Sequence, residues 1–199
     1  MDALERYLRE LADVRPAGVK ETSFYPALAA LLNDVGKTLK PRVRCIIHPS
    51  SKGAGLPDGG LFTADQLRKD ADDLAAMKQV LPARGVIEVK GTGDDALTIA
   101  RSPQVAKYLE RYGQVLVTTL RDFVLVERSA NGPTVAEQYS LANTEAAFWY
   151  AVARPHDTAA AHGDRFTDFL VRVMLHAAPL TAPRDLAWFL ASYARDARA

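Results

Sequence analysis

Gly85-Val86-Ile87-Glu88-Val89-Lys90-Gly91 is the stretch on which the reading of this chain turns. Its β-branched apolar residues predict a short, strongly apolar strand over Gly85 to Lys90. Side chains alternate between the two faces of a strand. Glu88 and Lys90 therefore share one face, with Cα atoms roughly 7 Å apart. Ile87 and Val89 share the other face and should enter the core. A carboxylate and an ammonium then stand side by side at the end of an apolar strand. Upstream, Asp58 follows Pro57 in a Gly-rich neighbourhood, where backbone can approach a ligand closely.

Taken singly, each feature has a bland explanation. Pro-Asp is a common turn dipeptide. Glu-x-Lys on a strand is often a solvated face with an ion pair worth roughly 0–1 kcal/mol. The ordered set carries more. Two carboxylates that converge across neighbouring strands can hold Mg²⁺, which wants oxygen ligands and keeps waters for phosphate chemistry. Such an ion polarises a phosphate and lowers the pKa of a bound water. A lysine beside it adds fixed positive charge where negative charge develops on phosphorus.

Outward from this strand, the chain divides into short elements. Asp2 to Val14 reads as an amphipathic helix with Leu4, Leu8 and Leu11 at helical spacing, broken by Pro16 and Gly18. A second helix is expected from about Thr22 to Leu39, with Pro26 tolerated in its first turn and Leu28, Leu31, Leu32 and Val35 as its apolar stripe. Val43 to His48 is a strand. A Ser50 to Gly55 loop leads to Pro57-Asp58 and a second strand through Leu61-Phe62. Asp65 to Val80 is polar, helical or irregular. After Lys90, Asp94 or Asp95 starts a helical stretch. Ser102 is a good N-cap with Pro103 behind it, for a helix that runs to Tyr112 and stops at Gly113.

Gln114 to Thr118, Phe123 to Glu127 and Val135 to Tyr139 are further strands, the last after an Asn131-Gly132 turn. From Thr144 onward the chain reads as helix: Glu145 to Ala153, Asp164 to Ala177 and Arg184 to Arg195. The expected class is α/β, a mixed central sheet flanked by helices with a C-terminal helical extension. Residues 1–155 are expected to form one domain and 156–199 a helical extension or connector. The stripes Phe166, Phe169, Leu170, Val173, Met174 and Leu186, Phe189, Leu190, Tyr193 either complete the core or leave an apolar docking face.

The 199 residues are 48% apolar and 25% charged, ordinary for a globular protein with a sizeable core. There is no apolar run of 18 residues, so no membrane span is expected. The N-terminus is a mixed-charge helical pattern and not a signal peptide, and the one cysteine, Cys45, fits a reducing cytoplasm. Four histidines without HxxxH spacing, and no CxxC, argue against zinc. A net charge of +1 does not announce a nucleic-acid binder, but acids placed in a cleft cancel bases elsewhere in the count. Gly53-x-Gly55 is followed by Pro57 and a strand instead of a helix, so it is no dinucleotide fingerprint. There is no P-loop and no nucleophile elbow.

Pro57-Asp58 followed by Glu88-Val89-Lys90 resembles the PD-(D/E)XK nuclease pattern. Gln104-Val105-Ala106-Lys107-Tyr108 is similar to the QxxxY element of some branches of that superfamily. Longer stretches, Glu21 to Leu28, Gly53 to Asp58, Arg84 to Gly91, Tyr112 to Thr118 and Arg121 to Phe123, resemble the N-terminal nuclease region of single-chain restriction-modification enzymes. In those enzymes an N6-adenine methyltransferase follows in the same polypeptide. The resemblance spans about Leu4 to Ala153, and Pro183 to Trp188 looks like the connector beyond it.

The resemblance implies a restriction-endonuclease-like fold and a Mg²⁺-dependent endonuclease acting on double-stranded DNA, with Mn²⁺ as substitute. Asp58, Glu88 and Val89 would form the metal set, Lys90 would be the catalytic lysine, and Glu21 an assisting carboxylate. Gln104 and Tyr108 would line the cleft near the DNA backbone. Lys52 could touch phosphates from its loop. Without the resemblance, Glu21 is an acid favourable in a first helical turn, and Gln104 and Tyr108 share one polar helix face. No base-reading element is recognised, so little sequence preference is expected. A methyltransferase, and also a helicase, are the expected partners. The rival reading is a DNA-binding or protein-docking module that kept the fold and lost turnover.

Overall fold

The computed structural model describes residues 2–15, 20–47, 57–69, 81–129 and 132–176, together with 190 and 194. Helix α1 is Ala3–Val14. Asp2 caps it, its carboxylate accepting from the Leu4 amide at 2.7 Å. Leu4, Tyr7, Leu8 and Leu11 form its buried stripe. The expected second helix is two pieces: a 3-10 turn, Glu21–Phe24, and helix α2, Tyr25–Gly36. Pro26 sits in the first turn of α2, as the missing amide allows. Leu28, Leu31, Leu32 and Val35 are buried as expected. The helix ends three residues before Leu39. At Gly36 it presses on the next strand so closely that a Cβ would lie 2.1 Å from the Val43 carbonyl oxygen.

Six strands follow: β1 Val43–Ile47, β2 Gly59–Thr63, β3 Val86–Val89, β4 Gln114–Thr118, β5 Asp122–Ser129 and β6 Gly132–Ser140. They form one sheet in chain order. Only the β3–β4 pair is parallel; the other four pairs are antiparallel. A parallel pair needs a crossover connection. It is made by α4, Ala96–Ala100, and α5, Pro103–Tyr112, whereas the short α3, Ala64–Lys69, follows β2. Asp95 and Ser102 cap α4 and α5 through their side chains, and Gly113 at φ 80° ends α5. The mixed sheet flanked by helices is the α/β class expected from the sequence.

Both faces of the sheet are covered. Ile87, Val89, Leu61, Leu116, Phe123 and Leu125 pack with α1, α2 and the C-terminal helices in the larger core. Val86, Val115, Val117, Val124 and Val126 pack with α4 and α5 in a smaller one. A sheet buried on both sides explains why β4 carries the unbroken apolar run Val115 to Val117 and why β3 is apolar at every position but Glu88. The outer edge of β1 is clamped by Asn33, which donates to the Cys45 carbonyl at 3.1 Å and accepts from the Cys45 amide at 3.0 Å.

The C-terminal helices are α6, Glu145–Val152, and α7, Pro155–Leu175. Helix α7 starts nine residues earlier than the expected Asp164. Its first half, Pro155 to Gly163, carries little apolar periodicity, and Pro155 at its N-terminus was the usable start signal. Phe166, Phe169, Leu170, Val173 and Met174 are fully buried in the larger core. These residues complete the core and leave no docking face, because α7 lies against α1, α2 and β6. Leu186, Phe189 and Tyr193 lie outside the described residues, and Leu190 is exposed. Among the described residues, no helix is long and apolar enough to cross a membrane.

Candidate active site

The antiparallel register sets Gly59 opposite Ile87, so Asp58, just before β2, stands beside the end of β3. One carboxylate oxygen of Asp58 accepts from the Val89 amide at 2.8 Å. The other accepts from the Tyr25 hydroxyl at 2.9 Å. The same hydroxyl lies 3.1 Å from Glu21 Oε1. Asp58 is thus tied to β3 on one side and to the start of α2 on the other.

Glu88 points toward the smaller core and is 2% exposed. Lys90 follows the last residue of β3 and is held by its amide to the Thr118 carbonyl at 2.9 Å. Its ammonium folds back to pair with Glu88 Oε1 and donates to the Val89 carbonyl at 3.0 Å. Glu88 Oε2 is buried and, among the described residues, has no hydrogen-bond partner. The expected juxtaposition of Glu88 and Lys90 is therefore present, with half of the carboxylate uncommitted.

Electrostatics follow from this crowding. Burial pushes the Glu88 carboxyl above the ordinary carboxylate range, and the charges of Asp58 and Glu21 push the same way against the counteracting Lys90. Burial also raises Glu21, with Asp58 and Asp94 adding to it against Tyr25 and Lys90. For Lys90, burial works against the charge, but the Glu88 hydrogen bond and the charges of Glu88, Asp58 and Glu21 outweigh it. Its pKa is raised and it stays an ammonium. The Tyr25 hydroxyl is raised by burial first and by both neighbouring acids, so it keeps its proton.

Gln104 and Tyr108 lie on α5, and the Gln104 amide donates to the Tyr108 hydroxyl at 2.8 Å. Tyr108 is 3% exposed, and burial first, then the charges of Glu88 and Asp58, raise the pKa of its hydroxyl. Lys52 lies outside the described residues. Beyond Lys90, Thr92 donates to Glu145 at 2.5 Å and Arg121 donates to the Asp94 carbonyl at 3.3 Å. These two contacts hold the segment that leaves the site.

The donor set suits a hard cation. Two carboxylates and the Val89 carbonyl, the only atom through which a valine here can bind an ion, are all oxygen. The buried, unpartnered Glu88 Oε2 is the atom a cation would satisfy. Among the described residues, no three His, Cys, Asp or Glu side chains come close enough to hold a metal together. Glu21 accordingly joins the site through Tyr25. Tyr25 escaped the sequence reading. The available signal was its position four residues after Glu21, one helical turn on.

No family model matches the chain, and no curated protein matches it either. Among solved structures, a chain of the cryoEM structure of the DrdV–DNA complex is similar to it, with a TM-score of 0.48 and 18% identity over 75% of this chain and 94% of that one.

Proposed function

We propose that this domain is a Mg²⁺-dependent endonuclease that hydrolyses DNA phosphodiester bonds within a restriction-modification system. The observation that carries the reading is the cluster of Asp58, Glu88 and Lys90 at the end of β3, with Glu88 Oε2 buried and unpartnered among the described residues. The resemblance to PD-(D/E)XK nucleases supports the same assignment. Asp58, Glu88 and the Val89 carbonyl would hold Mg²⁺ or Mn²⁺. When bound, the ion supplies Lewis acidity toward a phosphate oxygen and a water of lowered pKa.

The chain's own residues do the rest. Lys90, kept cationic by three acids, sets positive charge beside the phosphate as negative charge grows on it, and can orient the attacking water. The water gives up a proton to solvent as its oxygen bonds to phosphorus, one phosphorus–oxygen bond of the backbone breaks, and the leaving oxygen takes up a proton from solvent. Tyr108 and Gln104 line the cleft toward the DNA backbone. Target choice falls to other domains, a methyltransferase and a helicase of the same system.

Nicking of supercoiled plasmid in Mg²⁺ or Mn²⁺ tests the proposal. The wild-type chain should nick, and Lys90→Ala should lose about 10²–10³-fold, the range for removing one preorganised electrostatic group. Equal nicking by both proteins would refute it. DNA binding without nicking would favour the silent module instead.

A further inference from the structure

The Tyr25 hydroxyl touches both Asp58 and Glu21, at 2.9 Å and 3.1 Å. We infer that Tyr25 is a positioning residue: its hydroxyl fixes the Asp58 carboxylate for cation binding and couples Glu21 to it. The inference rests on the nuclease reading for the purpose of the site, but the bridge itself is a matter of geometry.

Asp58 stands just outside β2, so its backbone is not held by the β2–β3 pairing, which starts at Gly59. Its side chain has two anchors. The Val89 amide holds Oδ2, and Tyr25 holds Oδ1. With both in place, the carboxylate plane is defined by β3 and α2 together. With one anchor the group can turn about its terminal torsion, which is broad for aspartate. Hydrogen-bond partners that orient a ligating carboxylate typically matter 10–100-fold in metal affinity or activity.

Glu21 depends on the same hydroxyl. It lies on the 3-10 turn and comes to the acidic pair through Tyr25, because the described acids do not form a three-carboxylate cluster. One hydroxyl carries one proton and two acceptor lone pairs. It serves both carboxylates by sharing its one proton between them, so displacing either acid changes the bond to the other. The Tyr25 ring, 5% exposed and part of the larger core, keeps the hydroxyl in place at little cost in mobility. The same ring makes Tyr25→Phe a clean probe, since it removes the oxygen and leaves the packing.

The test uses the full chain as wild type, Tyr25→Phe, Glu21→Gln and the double variant. Two readouts need no turnover: the ¹³C carboxyl signals of Asp58 and Glu21 in metal-free protein, and Mn²⁺ affinity by calorimetry. Tyr25→Phe should move both carboxyl signals and weaken Mn²⁺ binding about tenfold. Adding Glu21→Gln to it should weaken binding little further, because the link is already cut. Unmoved signals, unchanged affinity in Tyr25→Phe, or independent effects that multiply would overturn the inference. If Tyr25→Phe does not fold, Glu21→Gln alone must move the Asp58 signal and weaken Mn²⁺ binding, and failure to do so refutes the bridge. Wild-type protein that binds Mn²⁺ without nicking DNA would end the nuclease reading and leave this inference to stand on affinity. Wild-type protein that binds no Mn²⁺ would end both.

Discussion

Ile87 and Glu88 are neighbours on one strand and almost equally hidden, at 0% and 2% exposure, yet the two faces they enter are built differently. Ile87 meets the larger core, where Leu61, Leu116 and the side chains of α1, α2 and α7 surround it. Glu88 meets the side of α4 and α5, where a lysine takes one of its oxygens and no described residue takes the other. Burial of an apolar group stabilises the fold by about 1.5–3 kcal/mol for a side chain of that size. Burial of a half-paired carboxylate costs free energy. One face of β3 therefore holds the molecule together. The other is maintained against its own electrostatics, which is what a site for a cation requires.

The largest expected effect is on the costly face. Glu88→Gln keeps the volume and removes the charge, so plasmid nicking in Mg²⁺ should fall about 10²–10³-fold. Urea unfolding of the metal-free variant should show stability equal to or above wild type, because the penalty of a buried charge is relieved. Activity within threefold of wild type would erase the distinction between the faces.

On the other face, Ile87→Ala should cost about 2–5 kcal/mol in urea unfolding, the range for opening a cavity at a filled core position. The folded fraction should nick at the wild-type rate per molecule. A loss below about 1 kcal/mol would show that the larger core is looser than its burial implies.

The pH dependence sharpens the comparison further. Glu88 and Glu21 have pKa values raised in the folded protein, chiefly by burial. Between the ordinary carboxylate range and those raised values, the folded state binds more protons than the unfolded one. Metal-free stability should therefore fall as pH rises through that window. A bound divalent ion needs the ionised forms, so its stabilisation should be larger at pH 8 than at pH 5. It should amount to about 2.7 kcal/mol at a hundredfold excess over Kd. Thermal melts with and without Mn²⁺ at both pH values check this, and a Mn²⁺ effect independent of pH would contradict it.

The smallest effect concerns the helix behind the site. Ser102 caps α5 by accepting from the Val105 amide at 3.3 Å. Ser102→Ala should cost about 1 kcal/mol in urea unfolding. Nicking should change by no more than a few fold, since Gln104 and Tyr108 would still be held by the packing of Val105 and Leu109.

Local chemistry was legible where it was self-sufficient. The cap at Ser102, the stop at Gly113 and the stripes of α1 and α2 are decided within a few residues, and the structure has them. The alternation of Ile87 and Val89 against Glu88 and Lys90 follows from strand geometry alone. Where neighbours in space decide, sequence reading stopped short. The early end of α2 comes from the close approach of Gly36 to Val43. The length of α7 depends on packing along a segment whose own pattern is weak. The burial of Phe166 to Met174 could not be chosen over a docking face, because one apolar stripe serves either purpose.

The sequence by itself determined the alternating elements, the α/β class and the order of an acid, a second acid and a lysine, because these are properties of local periodicity and residue type. Only the tertiary structure decided that β3 lies parallel to β4 and antiparallel to β2, the register that brings Asp58 beside Val89. It alone decided that Tyr25 stands between two carboxylates and that one oxygen of Glu88 is buried without a partner among the described residues. The physical reason is range. A cap or a stripe is settled by neighbours in the chain, whereas the environment of a carboxylate is settled by groups that sit tens of residues away until the sheet forms.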